Sequence, residues 1–100
     1  MITFDKIRQW GEDKGLTGEN GKATVDGQIN KLQEEFDELK EAVEAGSNPF
    51  VIDAIGDMAV VLTLLADLKG LRIEDCIDSA YKEIATRTGR MVNGVFVKDK

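Results

Sequence analysis

Two runs of carboxylates carry most of the chemistry open to this chain. The first is Glu34-Glu35-Phe36-Asp37-Glu38, in a stretch with helical spacing. At 100° per residue, with Phe36 taken as the core direction, Glu34 lies at about 160°, Glu38 at about 200° and Glu35 at about 260°. Lys31 projects into the same arc. A Glu-rich helix face is ordinarily a solvated one, and this run alone says no more. The second run is Asp53 and Asp57, an i, i+4 pair in an otherwise apolar helix. Like charges at that spacing repel, and burying an unpaired carboxylate is costly. The pair needs a lysine, an arginine or a metal ion, or else a narrow exposed strip near the helix start, where the dipole favours Asp.

The residues that are missing narrow the chemistry. The chain has no histidine, which excludes Ser-His triads, His-ligated zinc and Glu-x-x-His di-iron sites. The single Cys76 makes neither an internal disulfide nor a thiolate cluster, and reads as a small buried hydrophobe in a reducing compartment. Carboxylates, ammonium groups and guanidinium groups remain, and they suit hard cations such as Mg²⁺ or Mn²⁺. A net charge of −6 argues against nucleic-acid polymers and anionic membranes as partners. Polyphosphates fit if a divalent cation lies between the like charges. The N-terminus lacks a basic region followed by an apolar run, and the most apolar stretch, Met58 to Ala66, is shorter than the ~20 residues of a membrane span. A soluble cytoplasmic protein is expected, and its 100 residues fit one domain over 1–100.

Proline and glycine divide the chain into helical blocks. Thr3 caps a first short helix with Phe4, Ile7 and Trp10 on one face. Gly15, Gly18 and Gly21 mark a flexible polar loop. Val25, Ile29, Leu32, Phe36, Leu39 and Val43 form an apolar seam on a second helix, capped by Thr24 and ended at Gly46. A third helix opens at Asn48-Pro49 and runs to about Lys69, before Gly70. A fourth spans about Ile73 to Thr88, with Ile73, Ile77, Ala80 and Ile84 on one stripe. The tail from Met91 to Phe96 alternates around Asn93-Gly94, as in a small hairpin or extended arm. The expected fold is all-α: an antiparallel bundle of about four helices with a short C-terminal arm. The third helix is apolar on every face, more than three shorter helices can enclose. Completion by a homo-oligomer, dimer or tetramer, is therefore expected.

The short turn through Ala45-Gly46-Ser47-Asn48 makes the second and third helices an antiparallel hairpin. That pairing brings Glu34, Glu35 and Glu38 level with Asp53 and Asp57. Five converging carboxylates require cations, and oxygen ligands of this hardness suit Mg²⁺ or Mn²⁺.

With these motifs in place, the chain resembles the MazG-like all-α nucleoside triphosphate pyrophosphohydrolases, in particular the small phage- and Firmicute-type members. Glu34-Glu35-Phe36-Asp37-Glu38 matches the family's Glu-Glu-x-x-Glu helix, and Ile55-Gly56-Asp57-Met58 matches the context of its second acidic motif. The resemblance covers roughly residues 25 to 97. One position departs from it: the acid expected three residues before Asp57 is Ala54, with Asp53 one place further back as the substitute. The resemblance implies hydrolysis of (d)NTPs between the α- and β-phosphates, giving a nucleoside monophosphate and pyrophosphate. It assigns Glu35, Glu38, Asp53 and Asp57 to Mg²⁺, or Mn²⁺, and Glu34 to a further metal contact or to orienting water. On the same footing Arg87 and Lys82 face the phosphates, Lys31 the acids or the substrate, and Trp10 and Gln28 the base. Lys82 and Arg87 also read as ordinary cations near a helix C-terminus, and Trp10 as a core residue. Two further readings stand beside this one: a helical oligomerisation module, and a metal-dependent nucleotide binder with little or no turnover.

Overall fold

The computed structural model describes residues 3–100, as four helices followed by a two-stranded hairpin. Helix α1 spans Thr3–Asp13, α2 Val25–Ala45, α3 Asn48–Leu68 and α4 Ile73–Ala85. Strand β1, Gly89–Val92, pairs antiparallel with β2, Val95–Lys98. Thr3 is already helical, so the cap position before it lies outside the described residues.

The α2–α3 hairpin is the centre of the fold. Thr24 Oγ1 accepts from the Gly27 backbone N–H at 3.0 Å and caps α2. At the other end Gly46 adopts φ 67°, and its N–H reaches back to Val43 O at 3.1 Å. The cap of α3 is Ser47, one residue earlier than expected, so Asn48 lies inside the helix and Pro49 follows in its first turn. Thr63 is fully buried in α3, and its hydroxyl donates to Ala59 O at 2.7 Å.

The inward stripe of α2 differs from the one the seam predicts. Phe36 is 44% exposed, and Ile29 and Val43 on the same stripe are exposed too. The buried positions are Glu35 and Ala42. Val25, Leu32 and Leu39 of the seam stay half-buried, so the helix is turned by roughly half a residue step, ~50°, from the centre of the seam. A charged residue occupies the face packed on α3.

Helix α1 lies against α3. Gly11 permits that approach: a Cβ there would stand 2.6 Å from Leu64 Cδ2, and Leu64 is itself buried. The segment after α1 is a pinned loop instead of a flexible one. Leu16 N–H donates to Gly11 O at 2.8 Å, Lys22 N–H to Gly15 O at 3.0 Å and Ala23 N–H to Leu16 O at 2.9 Å. Helix α4 ends at Ala85, three residues before the expected Thr88, because Thr88 belongs to the hairpin base. Its hydroxyl meets Asp99 Oδ2 at 2.8 Å, and its carbonyl accepts from Asp99 N–H at 2.9 Å. Asn93 and Gly94 both have positive φ, as a two-residue hairpin turn requires.

Burial is concentrated in α3, at Ala54, Val61, Thr63, Leu64 and Ala66. Phe50, Ile52 and Ile55 on the same helix remain more than half exposed, as do Ile77, Tyr81 and Ile84 on α4. One chain does not enclose the apolar third helix. With 21 residues, α3 is also long and apolar enough by composition to cross a bilayer, which the shorter run Met58 to Ala66 had understated. Cys76 is exposed on α4, not buried as its chemistry suggested.

Candidate metal centre and adjoining clefts

Three carboxylates from the two central helices converge. Oxygens of Glu35, Glu38 and Asp57 all lie within 4.8 Å of one another. Glu35 comes from the inward stripe of α2, Glu38 from one turn further along, and Asp57 from α3 opposite. Glu35 is 4% exposed, and among the described residues its Oε2 has no hydrogen-bond partner. Native folds rarely leave a buried carboxylate oxygen unsatisfied, and the three carboxylates could hold a positive ligand. Lys31, one turn before Glu35, answers only part of that demand, with Nζ at 3.4 Å from Glu35 Oε1.

The charges perturb one another. Partial desolvation, followed by the neighbouring Glu35 and Asp53, pushes the Asp57 carboxyl above the usual aspartate range, with Lys31 opposing. Lys31 is raised above the ordinary lysine value, first by Glu34, then by Glu35 and Glu38. A divalent cation fits this oxygen-only, net-negative donor set, and it would rest on Glu35, Glu38 and Asp57.

Two clefts flank the trio. One, of about 410 Å³, is lined by Glu38, Glu41, Phe50, Asp53, Ala54 and Asp57. Asp53 thus faces the same space as Glu38 and Asp57 without joining the close group. Ala54, where a further acid was expected, is 3% exposed and brings no carboxylate. The second cleft, of about 610 Å³, lies between α1, its following loop, α2 and α3. It gathers Trp10, Gln28, Lys31 and Glu34, four of the residues singled out from sequence, and adds Lys22. Trp10 also lines a smaller recess together with Asp57 and Val60.

Lys82 and Arg87 line neither cleft. Lys82 pairs with Asp78 at 3.1 Å and Arg87 with Glu83 at 4.0 Å, each one turn away at the end of α4. Within one chain they are surface ion pairs. Lys22 went unremarked in the sequence because it sits in a segment read as flexible. Its place two residues before the Thr24 cap, at the mouth of α2, was the available signal.

The fold and site define a class: a helical domain that presents a carboxylate cluster from a two-helix hairpin. The sequence model of the family described as Phosphoribosyl-ATP pyrophosphohydrolase matches residues 20–83, which include both acidic motifs. The chain belongs to that family, within the MazG-like all-α NTP pyrophosphohydrolase superfamily. It is also 36% identical over 78 residues to an uncharacterized 18.2 kDa protein encoded in the rep-hol intergenic region of Haemophilus phage HP1. That alignment covers 78% of this chain and 42% of the phage protein. No solved structure matches the chain.

Proposed function

We propose that the protein is a metal-dependent nucleoside triphosphate pyrophosphohydrolase, releasing a nucleoside monophosphate and pyrophosphate from (d)NTPs. The observation that carries this reading is the convergence of Glu35, Glu38 and Asp57 with one buried carboxylate oxygen unpaired, in a member of a pyrophosphohydrolase family. Mg²⁺ is the cation proposed, with Mn²⁺ as a substitute. Bound there, it would neutralise the polyphosphate and make a water acidic enough to attack near neutral pH without histidine. Glu35, Glu38 and Asp57 hold the cation, and Asp53 approaches from the rim. Glu34 and Lys31 line the larger cleft, Lys31 also pairing with Glu35 of the acid cluster, which leaves Trp10 and Gln28 on the same cleft for the nucleoside.

The exposed apolar stripes favour a second copy of the chain as partner. Lys82 and Arg87, which serve no cleft in one chain, could then act from an interface.

The test is product analysis. Purified protein is incubated with NTPs and dNTPs in Mg²⁺, in Mn²⁺ and in chelator. Monophosphate and pyrophosphate, formed only with metal, are expected. Diphosphate and orthophosphate would overturn the bond assignment. Glu38→Gln should lower kcat by about 100-fold or more while helicity is kept.

A further inference from the structure

We infer that Lys22 selects the nucleobase, favouring bases that turn a carbonyl oxygen, not an amino group, toward the mouth of the larger cleft. The inference rests on the nucleotide reading above. Helix α2 serves as a ruler. Counting back from Glu35, Lys31 lies ~6 Å along the axis, Gln28 ~10 Å and Thr24 ~16 Å, and Lys22 precedes Thr24. A lysine stem extends roughly 6 Å, so Lys22 does not reach phosphates held at the acid trio. A nucleotide does span that gap, because it runs about the length of two helical turns, ~11 Å, from its first phosphate to the far edge of its base. The base then lies level with Trp10 and Gln28, and its far edge meets Lys22.

Lysine has three donors and no acceptor. It pairs with O6 of a 6-oxopurine or O4 of a 4-oxopyrimidine, and meets an exocyclic amino group donor to donor. Gln28 carries both donor and acceptor, so it fits either kind of base without discriminating. Glu34 lines the same cleft but lies next to Glu35, at the level of the acids.

The backbone at Lys22 is fixed, and its exposed side chain is carried from that anchored point. Its own N–H and that of Ala23 close the loop on Gly15 and Leu16. Gly21 lies flat on Thr17, where a Cβ would stand 2.5 Å from the carbonyl carbon. Among the described residues Lys22 has no ion pair, whereas Lys31 is engaged by Glu35. Lys22 is therefore the one lysine of the cleft whose charge is not committed to a carboxylate.

The experiment compares kcat/KM for ITP against ATP and for UTP against CTP, pairs that exchange an oxo for an amino group. Wild type is expected to favour the oxo member by about tenfold, as one charge-assisted hydrogen bond allows. Lys22→Ala should bring both ratios near unity, and Lys22→Glu should reverse them. Lys14→Ala, on the same loop but outside the cleft, should leave them unchanged, and circular dichroism confirms the helices in every variant. A wild type with no oxo preference, or a Lys22→Ala variant that keeps it, overturns the inference alone. Absence of turnover together with absence of any quenching of Trp10 emission by these nucleotides overturns the nucleotide reading and this one with it.

Discussion

Asp57 is badly placed for a charge when no cation is bound. Desolvation and the neighbouring Glu35 and Asp53 all work against its ionised form. Asp57→Asn removes one of these like charges while keeping the shape of the side chain. In chelator near neutral pH the variant should melt a few degrees above wild type, followed by circular dichroism. Its kcat in Mg²⁺ should fall by about 100-fold or more. A variant both inactive and less stable would mean that Asp57 serves packing. At this scale the sequence was legible where spacing carries the information. Glu35, Glu38 and Asp57 could be placed together because i, i+3 and i, i+4 intervals on two antiparallel helices leave little freedom. Ala54 and Asp53 were harder, since one residue of offset is 100° of rotation. Lys22 was illegible because a loop has no period.

Helix α1 is held by an ion pair with no counterpart in the pattern of the sequence. Arg8, its side chain 14% exposed, donates to both carboxylate oxygens of Glu74 at 2.6 Å, across 66 residues of chain. Asp5 joins on the α1 side and Arg72 on the α4 side. The hydrogen bonds from Arg8, aided by a backbone N–H at the start of α4, hold the Glu74 carboxyl down at about 2. A carboxyl depressed in the folded state stabilises above its unfolded value, near 4.5, and that contribution is lost as pH falls from there toward 2. Glu74→Gln should therefore lower the Tm at pH 7, and the gap from wild type should close as the pH approaches 2. Because α1 also carries the sole tryptophan, Arg8→Ala should make Trp10 emission more accessible to an aqueous quencher. The helices themselves were legible from caps, glycines and periodicity, with errors of one residue at Ser47 and three at Ala85. The rotation of α2 was not. An apolar seam indicates burial without saying whether the covering surface belongs to the same chain, and Ile29, Phe36 and Val43 are exposed in this one.

As a whole, the molecule is more open than a folded monomer of its mass. Its accessible surface is 7617 Å², whereas a folded monomer of 11.0 kDa has about 5,600 Å². The excess, roughly 2,000 Å², is larger than the ~800 Å² each partner gives to a standard interface. The Cα radius of gyration, 16.0 Å, is likewise above the ~13 Å of a 100-residue domain. Part of the excess belongs to the projecting hairpin, where Met91, Val95 and Phe96 are exposed; the rest lies on α3 and α4. Surface of this apolar character, in an obligate assembly, is covered by another copy of the same face. Light scattering coupled to gel filtration should report a dimer or tetramer at micromolar concentration, and no monomer. Ile77→Asp and Tyr81→Asp, both on the exposed stripe of α4 and away from the acid trio, should shift the mass toward one chain and lower the Tm together. If the interface also brings Lys82 or Arg87 to the neighbouring acids, kcat/KM should fall with the dissociated fraction as the protein is diluted. A monomer at every concentration, with full activity, would mean that the apolar stripes face something other than this chain.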